Sequence, residues 1–180
     1  MATIAEEENA ILTQVLEQQI GSGGIIWVSP HTCWPYNSYI FDLADTNDMA
    51  QTKDIILCLL HRDLQDIGAL IDQLFEKNAV FHRLTLPTPE DRRYVIDYNG
   101  SLSNTVKKAP GGRPLPWDPK PAPKYDLRIG VSRPAIDPAN GRVLVYVIRG
   151  NGLGMMGDII LYENKDGKLI QIARGTVVRS

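Results

Sequence analysis

From Ser132 to Ser180 the chain alternates apolar, β-branched runs with turn-forming links. The runs are SRPAID, RVLVYVIR, DIILYEN and KLIQIARGTVV, and the links are PANG, GNGLGMMG and KDG. Strands joined by links this short pair antiparallel, because a parallel return needs a crossover of about a dozen residues or more. In Arg142–Arg149, Val143, Val145 and Val147 point one way and Leu144, Tyr146 and Ile148 the other. Both faces are apolar, which predicts a central strand covered by helix on one side. Asp166 and Gly167 form the clearest hairpin signal, since a tight turn requires positive φ there. Ala139, Asn140 and Gly141 form a second.

The first half of the chain reads mostly as helix. Thr3 and Glu6 have capping-box spacing. Ile11, Leu12, Val15, Leu16 and Ile20 follow at helical intervals, and Gly21 supplies a stop. A helix is therefore expected over Glu6–Ile20. GIIWVS, Gly24–Ser29, reads as a buried strand ended by Pro30. His31–Asp48 is rich in aromatics and turn formers and is expected to lie partly as a loop over the core. Met49–Leu60 fits helix by length. Leu64, Ile67, Leu70, Ile71, Leu74 and Phe75 form an amphipathic helix, with Asp63 as N-cap and Asn78 as the C′ residue. Val80–Leu86 and Arg92–Tyr98 read as extended. Pro110–Pro123, PGGRPLPWDPKPAP, is a stiff loop, because proline removes amide donors and fixes φ. The fold class expected is α+β, with N-terminal helices packed on a C-terminal antiparallel sheet. At 180 residues, 1–180 reads as a single domain.

Several classes of function fit poorly. The net charge of −2 gives no footprint for nucleic acid. Two cysteines, Cys33 and Cys58, make no disulfide framework. The opening MATIAEEENA has neither the basic nor the apolar region of a signal peptide. The longest apolar run, Ile55–Leu60, is far short of the roughly 20 residues that span a bilayer. A cytoplasmic location without membrane contact is the expectation.

The chemistry-bearing motifs are weak. Gly152, Gly154 and Gly157 match GxGxxG after a strand, but a dinucleotide site needs that turn to open a helix, and Asp158–Tyr162 reads as strand. Met155 and Met156 in this link are adaptable contact residues. With Asn151 they are candidates for binding a ligand or partner, together with Trp34 and with Trp117 of the proline-rich loop. His31, Cys33 and Trp34 gather beyond a strand end, where functional groups often sit. His31, Cys33 and Asp158 are the candidate acid/base or nucleophilic residues. His61, Arg62 and Asp63 spell the kinase tripeptide only by letters, and Asp63 is better explained as a cap. Asp42, Asp45 and Asp48 lack EF-hand spacing. No metal site and no cofactor is expected.

The segment Gly130–Lys168 resembles a group of bacterial proteins that have no assigned activity. Their C-termini look like G-[IV]-x-x-[FL]-S-R-x-x-F, a turn, A-L-V-Y-V, a Cys/Gly-rich loop, a strand and E-K-x-[DN]-G-K-W. Here the matching residues are Gly130, Val131, Ser132, Arg133 and Ile136, then Val143–Val147, then Gly150–Gly157, then Glu163–Lys168. The loop lacks the cysteines those proteins often carry, and Leu169 stands at their tryptophan. The resemblance transfers no catalytic residue. The hairpins are also similar to the sheets of cystatin-like or NTF2-like domains, an analogy of fold alone.

These features favour a non-enzymatic binding or interaction module whose partner is a protein or a small molecule. The alternative is a small pocket enzyme (a hydrolase, isomerase or cyclase) working between helices and sheet. A third reading is a homodimer formed through edge strands or the methionine link.

Overall fold

The computed structural model describes residues 6–20, 26–29, 31–32, 46–80, 82–87, 94–96, 98, 127–150 and 155–179. Three helices are present among them: α1 (Glu6–Gln19), α2 (Thr46–Leu60) and α3 (Leu64–Lys77). Seven strands form one sheet: β1 (Ile26–Val28), β2 (Tyr94–Ile96), β3 (Leu127–Val131), β4 (Ala135–Asp137), β5 (Arg142–Gly150), β6 (Met155–Lys165) and β7 (Lys168–Arg179). The order is β2-β1-β3-β5-β6-β7, with β4 also on β5. β1 runs parallel to β2 and β3, and every other pairing is antiparallel. This is an α+β protein with helices packed on a largely antiparallel mixed sheet.

The alternation in β5 holds residue by residue. Val143, Val145 and Val147 join one core with Ile11, Leu12, Val15 and Leu16 of α1. Leu144, Tyr146 and Ile148 join a second core with Ile56 and Leu60 of α2 and Ile67, Leu70, Ile71 and Leu74 of α3. Helix therefore covers both faces, where cover on one face was expected. The reason is that two apolar helix stripes must be buried and a strand apolar on both sides accepts both. Each of the fully buried leucines and valines contributes about 1.5–3 kcal/mol relative to exposure.

Chain punctuation explains the element ends. At the close of α2, His61 adopts φ +52°. Its N–H bonds Cys58 O at 3.1 Å and the N–H of Arg62 bonds Leu57 O at 3.0 Å. That is a Schellman cap with histidine in the left-handed position usually given to glycine. Asp63 then caps α3, its side chain accepting from the Asp66 N–H at 2.8 Å. The His61-Arg62-Asp63 triplet is thus accounted for by two adjacent caps. His61→Gly is expected to raise stability by about 0.5–1 kcal/mol, since left-handed backbone strains a residue with a Cβ. Asp63→Ala is expected to lower it by about 1 kcal/mol. Thermal melts of the two variants should move in opposite directions.

Some expected elements are different in detail. Asn78 stands at the C-cap with φ −107°, outside the left-handed region. It closes α3 through its amide, donating to Leu74 O at 2.8 Å. SRPAID is broken rather than continuous: β4 begins only at Ala135, and β3 precedes it. Pro134 has no N–H for a ladder. Ser132 fills the gap, its N–H bonding Tyr146 O and its Oγ accepting the Tyr146 N–H, each at 2.9 Å. Met155 and Met156 belong to β6, opposite Gly150 and Arg149, so the link is shorter than expected. The tight turn at Asp166 and Gly167 is present, with φ of +54° and +79°. Of the region read as Val80–Leu86, His82–Pro87 carries only an isolated bridge, His31 to Arg83. Pro110–Pro123 lies outside the described residues.

Candidate functional site

Asp158 is the most unusual side chain on the sheet, a carboxylate only 1% exposed on a β-strand. It lies on the α1 face, opposite Val147 and two residues before the core residue Ile160. A buried carboxylate must be paired. Arg149 Nη2 donates to its Oδ2 at 2.6 Å, Arg174 Nη2 donates to the same oxygen, and Thr176 Oγ1 donates to Oδ1 at 2.8 Å. Arg149 Nη2 also touches Met156 Sδ at 3.6 Å.

The geometry follows from strand parity. Arg149 continues the inward series Val143, Val145 and Val147. Arg174 reaches this face only because of a register shift between Leu161 and Tyr162. Before it Gln171 pairs with Tyr162, and after it Ala173 pairs with Leu161, so one extra residue reverses the parity. Ile160 then faces Arg174 and Asp158 faces Thr176. The two arginine side chains remain 25% and 30% exposed. Both meet Asp158 through Nη2 alone, and Arg149 Nε is buried with no partner among the described residues.

Tyr162 lies further along the same face of β6 and is fully buried. Gln19, in the last turn of α1, donates to its hydroxyl at 3.4 Å. Burial pushes the Tyr162 hydroxyl up to about 12, against the opposing pull of Gln19 and Arg149. It is therefore a neutral hydroxyl at physiological pH.

A second polar cluster joins α1, α3 and the β3–β4 break. Glu8 is 4% exposed. It receives Arg133 in a two-point fork, Nε to Oε2 at 2.9 Å and Nη2 to Oε1 at 3.0 Å, and Lys77 Nζ at 2.9 Å. Arg133 Nη1 lies 3.3 Å from His82 Nε2. A guanidinium can only donate, so Nε2 is the acceptor side of this contact. Asn78 brackets the same segment, accepting the Arg133 N–H at 2.7 Å and donating to Arg133 O at 3.0 Å. This is a clasp between elements, with every charge turned inward.

An open cavity of about 340 Å³ lies between the start of α1 and the β4–β5 turn, lined by Ile11, Ile136 and Val143 beside Glu7 and Asp137. Asp137 is occupied by its own turn, accepting from the Ala139 N–H at 3.0 Å and Asn140 Nδ2 at 2.7 Å.

Of the candidate catalytic and binding residues read from the sequence, Asp158 is in the arginine cluster, Met156 edges it, and His31 makes a backbone bridge to Arg83 beyond the end of β1. Met155 is placed by its backbone alone, at the start of β6. Cys33, Trp34, Trp117 and Asn151 lie outside the described residues. β1 and β6 are separated by β3 and β5, three inter-strand steps or about 14 Å at 4.7–4.9 Å each. The fold therefore does not pair His31 directly with Asp158. Gly157 is within β6, so strand follows the GxGxxG glycines. Among the described residues no group of three His, Cys, Asp or Glu side chains is arranged to hold a metal. No helix among them is long and apolar enough to cross a membrane.

The scan against family models, the search of curated proteins and the search of solved structures each find no match to this chain. The cystatin-like and NTF2-like similarity is thus an analogy of sheet and helix, and functional argument rests on the side chains.

Proposed function

We propose that this protein is a non-catalytic binding module acting in the cytoplasm. The observation that carries this reading is the state of Asp158. A general base must reach the proton it takes from substrate. Asp158 is instead 1% exposed and held by donors from Arg149, Arg174 and Thr176, so its charge serves to position two guanidiniums. His31 stands three strands away and supplies no relay to it. Groups held rigidly by a sheet, with arginine donors left over, suit recognition better than proton transfer.

The test compares wild type with His31→Ala and Asp158→Asn on ester, amide and isomerisation substrates. No turnover that depends on either residue is expected. A rate that falls about 100-fold in either folded variant, the size of a lost general acid or base, would return the enzyme reading.

A further inference from the structure

The binding surface of that module, an inference that rests on the binding reading, is legible in the backbone of β7, the last strand in the sheet order. Asn164 gives its N–H to Gly141 O, on the β5 side. Backbone sides alternate along a strand, so Asn164, Tyr162, Ile160 and Asp158 all turn toward β5. Their partners on β7, Leu169, Gln171, Arg174 and Thr176, therefore turn N–H and C=O outward. Leu169 obeys this parity: its N–H bonds Gln14 Oε1 at 3.0 Å and its O accepts from Gln18 Nε2 at 2.8 Å. Gln14 Nε2 also donates to Gly167 O at 2.9 Å, so one side-chain amide of α1 stands where the amide of a further strand would. Past these glutamines, the outward groups of Gln171, Arg174 and Thr176 have no partner among the described residues.

An apolar ledge overlies this edge. A Cβ on Gly175 would meet Leu59 Cβ at 2.5 Å, so α2 runs directly over β7. The opposite flank of α2 is tied to α3 by Lys53 and Asp72. Ile55 shares the stripe of Leu59 through its i, i+4 spacing. Both are half-buried and belong to neither core. The strand itself, KLIQIARGTVVR, carries cations and no carboxylate. A second β7 would set those cations against each other, and like charges across a strand pair are destabilising. The extra residues Ile172 and Val177 also interrupt the ladder, and the α1 glutamines close its start. Such an edge resists a second full-length β7 and leaves room for a short segment.

We propose that the outer edge of β7 from Gln171 to Thr176 takes a short extended segment of a partner protein by strand addition. The segment's backbone pairs with the outward groups. Alternate side chains are apolar and pack against Ile55 and Leu59. Those between them carry carboxylates and face Arg174, whose side chain is 30% exposed.

The experiment follows the backbone amides of the folded full chain by NMR. The probe is a short capped peptide alternating valine with glutamate. Its controls carry lysine in place of glutamate, or N-methyl groups on one or the other alternate set of amides. The expected result is a saturable shift of the Gln171, Arg174 and Thr176 signals, with Kd of roughly 0.1–1 mM, and slower exchange of the same amides. Only one N-methylated peptide should lose binding, because alternate amides of an added strand face β7. The lysine peptide should bind at least about threefold more weakly. Gln171→Pro removes an outward donor at an edge position that tolerates proline, and Ile55→Glu charges the ledge; each should weaken the glutamate peptide at least about fivefold. No saturable shift up to about 5 mM, loss of binding in both or neither of the N-methylated peptides, a lysine peptide that binds as well, or unchanged affinity in folded Gln171→Pro and Ile55→Glu would each overturn the proposal. So would amide protection at Arg174 and Thr176 in the free chain: if it grows with protein concentration the occupant is a second copy, and if it persists at high dilution the chain closes its own edge. Those outcomes leave the binding reading standing, because it falls only to turnover that depends on His31 or Asp158.

Discussion

Glu8→Ala is expected to lower stability by roughly 3 kcal/mol, because it leaves two cations facing each other without their shared anion. Arg133 and Lys77 are only 20% and 24% exposed at the side chain, so water recovers part of the loss and holds the effect near the low end for a broken buried pair. In a chain of this size that corresponds to a melting temperature lower by about 6–12 °C. The loss extends beyond one contact. Arg133 belongs to the three-residue break between β3 and β4, and its backbone is bracketed by Asn78 at the end of α3. Releasing its guanidinium loosens the joint of α1, α3 and the β3–β4 corner at once. The expected signature is a drop in thermal and denaturant midpoints for Glu8→Ala, with Glu7→Ala, on the exposed side of the same helix turn, close to wild type.

The same residue sets a pH dependence with a definite sign. Burial raises the Glu8 carboxyl, but the hydrogen bonds and charges of Arg133 and Lys77 outweigh it and hold the group below its ordinary value of 4.5. A carboxyl depressed in the folded state contributes stability that is present above the unfolded value and is lost as pH falls through the folded one. The stability gap between wild type and Glu8→Gln is therefore expected to be constant near neutrality and to close below pH 4.5. A gap that stays constant down through that range would show that Glu8 acts by shape rather than by charge.

How far the sequence leads can be judged from particular residues. The two faces of β5 were legible because a strand has period two and six consecutive apolar residues leave no choice of side. The Asp63 cap and the turn at Asp166 and Gly167 were legible because each answers a local backbone demand. Arg149 was legible in principle: it continues the parity of Val143, Val145 and Val147, and a charge at an inward strand position is itself a signal. Arg174 was not, because its side is decided by the extra residue accommodated opposite Leu161 and Tyr162, and nothing local in KLIQIARGTVV marks a bulge. The Glu8 clasp was hidden for a related reason. A third consecutive glutamate at a helix start reads as a solvated, dipole-compatible charge. Only the tertiary arrival of Arg133, 125 residues away, turns it into a buried anchor. Short-range backbone chemistry is written locally, whereas polar clusters are made by pairings at long separation.

The same distinction predicts a second large effect, at Gly175 on β7. A methyl group added there would sit 2.5 Å from Leu59 Cβ and 3.2 Å from both the carbonyl carbon and the oxygen of Leu59. These atoms belong to, or are fixed directly on, the backbone of α2, so no side-chain rotation relieves the overlap. α2 must move off the sheet, disturbing the core that holds Ile56, Leu60, Ile159 and Leu161. Gly175→Ala is expected to cost about 1–3 kcal/mol as overpacking, and Gly175→Val more. Gly167→Ala supplies the contrast: nothing lies within 4 Å of its added methyl, yet φ of +79° strains any Cβ. Its cost of about 1–2 kcal/mol is local to the β6–β7 turn. Amide exchange should separate the two, with Gly175→Ala loosening α2 and Gly167→Ala loosening only the turn. A double variant sharpens the point. Leu59→Ala keeps the Cβ, carbonyl carbon and oxygen, so it should not rescue Gly175→Ala, and the two costs should add. Rescue would instead mean that the outer part of the Leu59 side chain, rather than the helix backbone, sets the distance between α2 and β7.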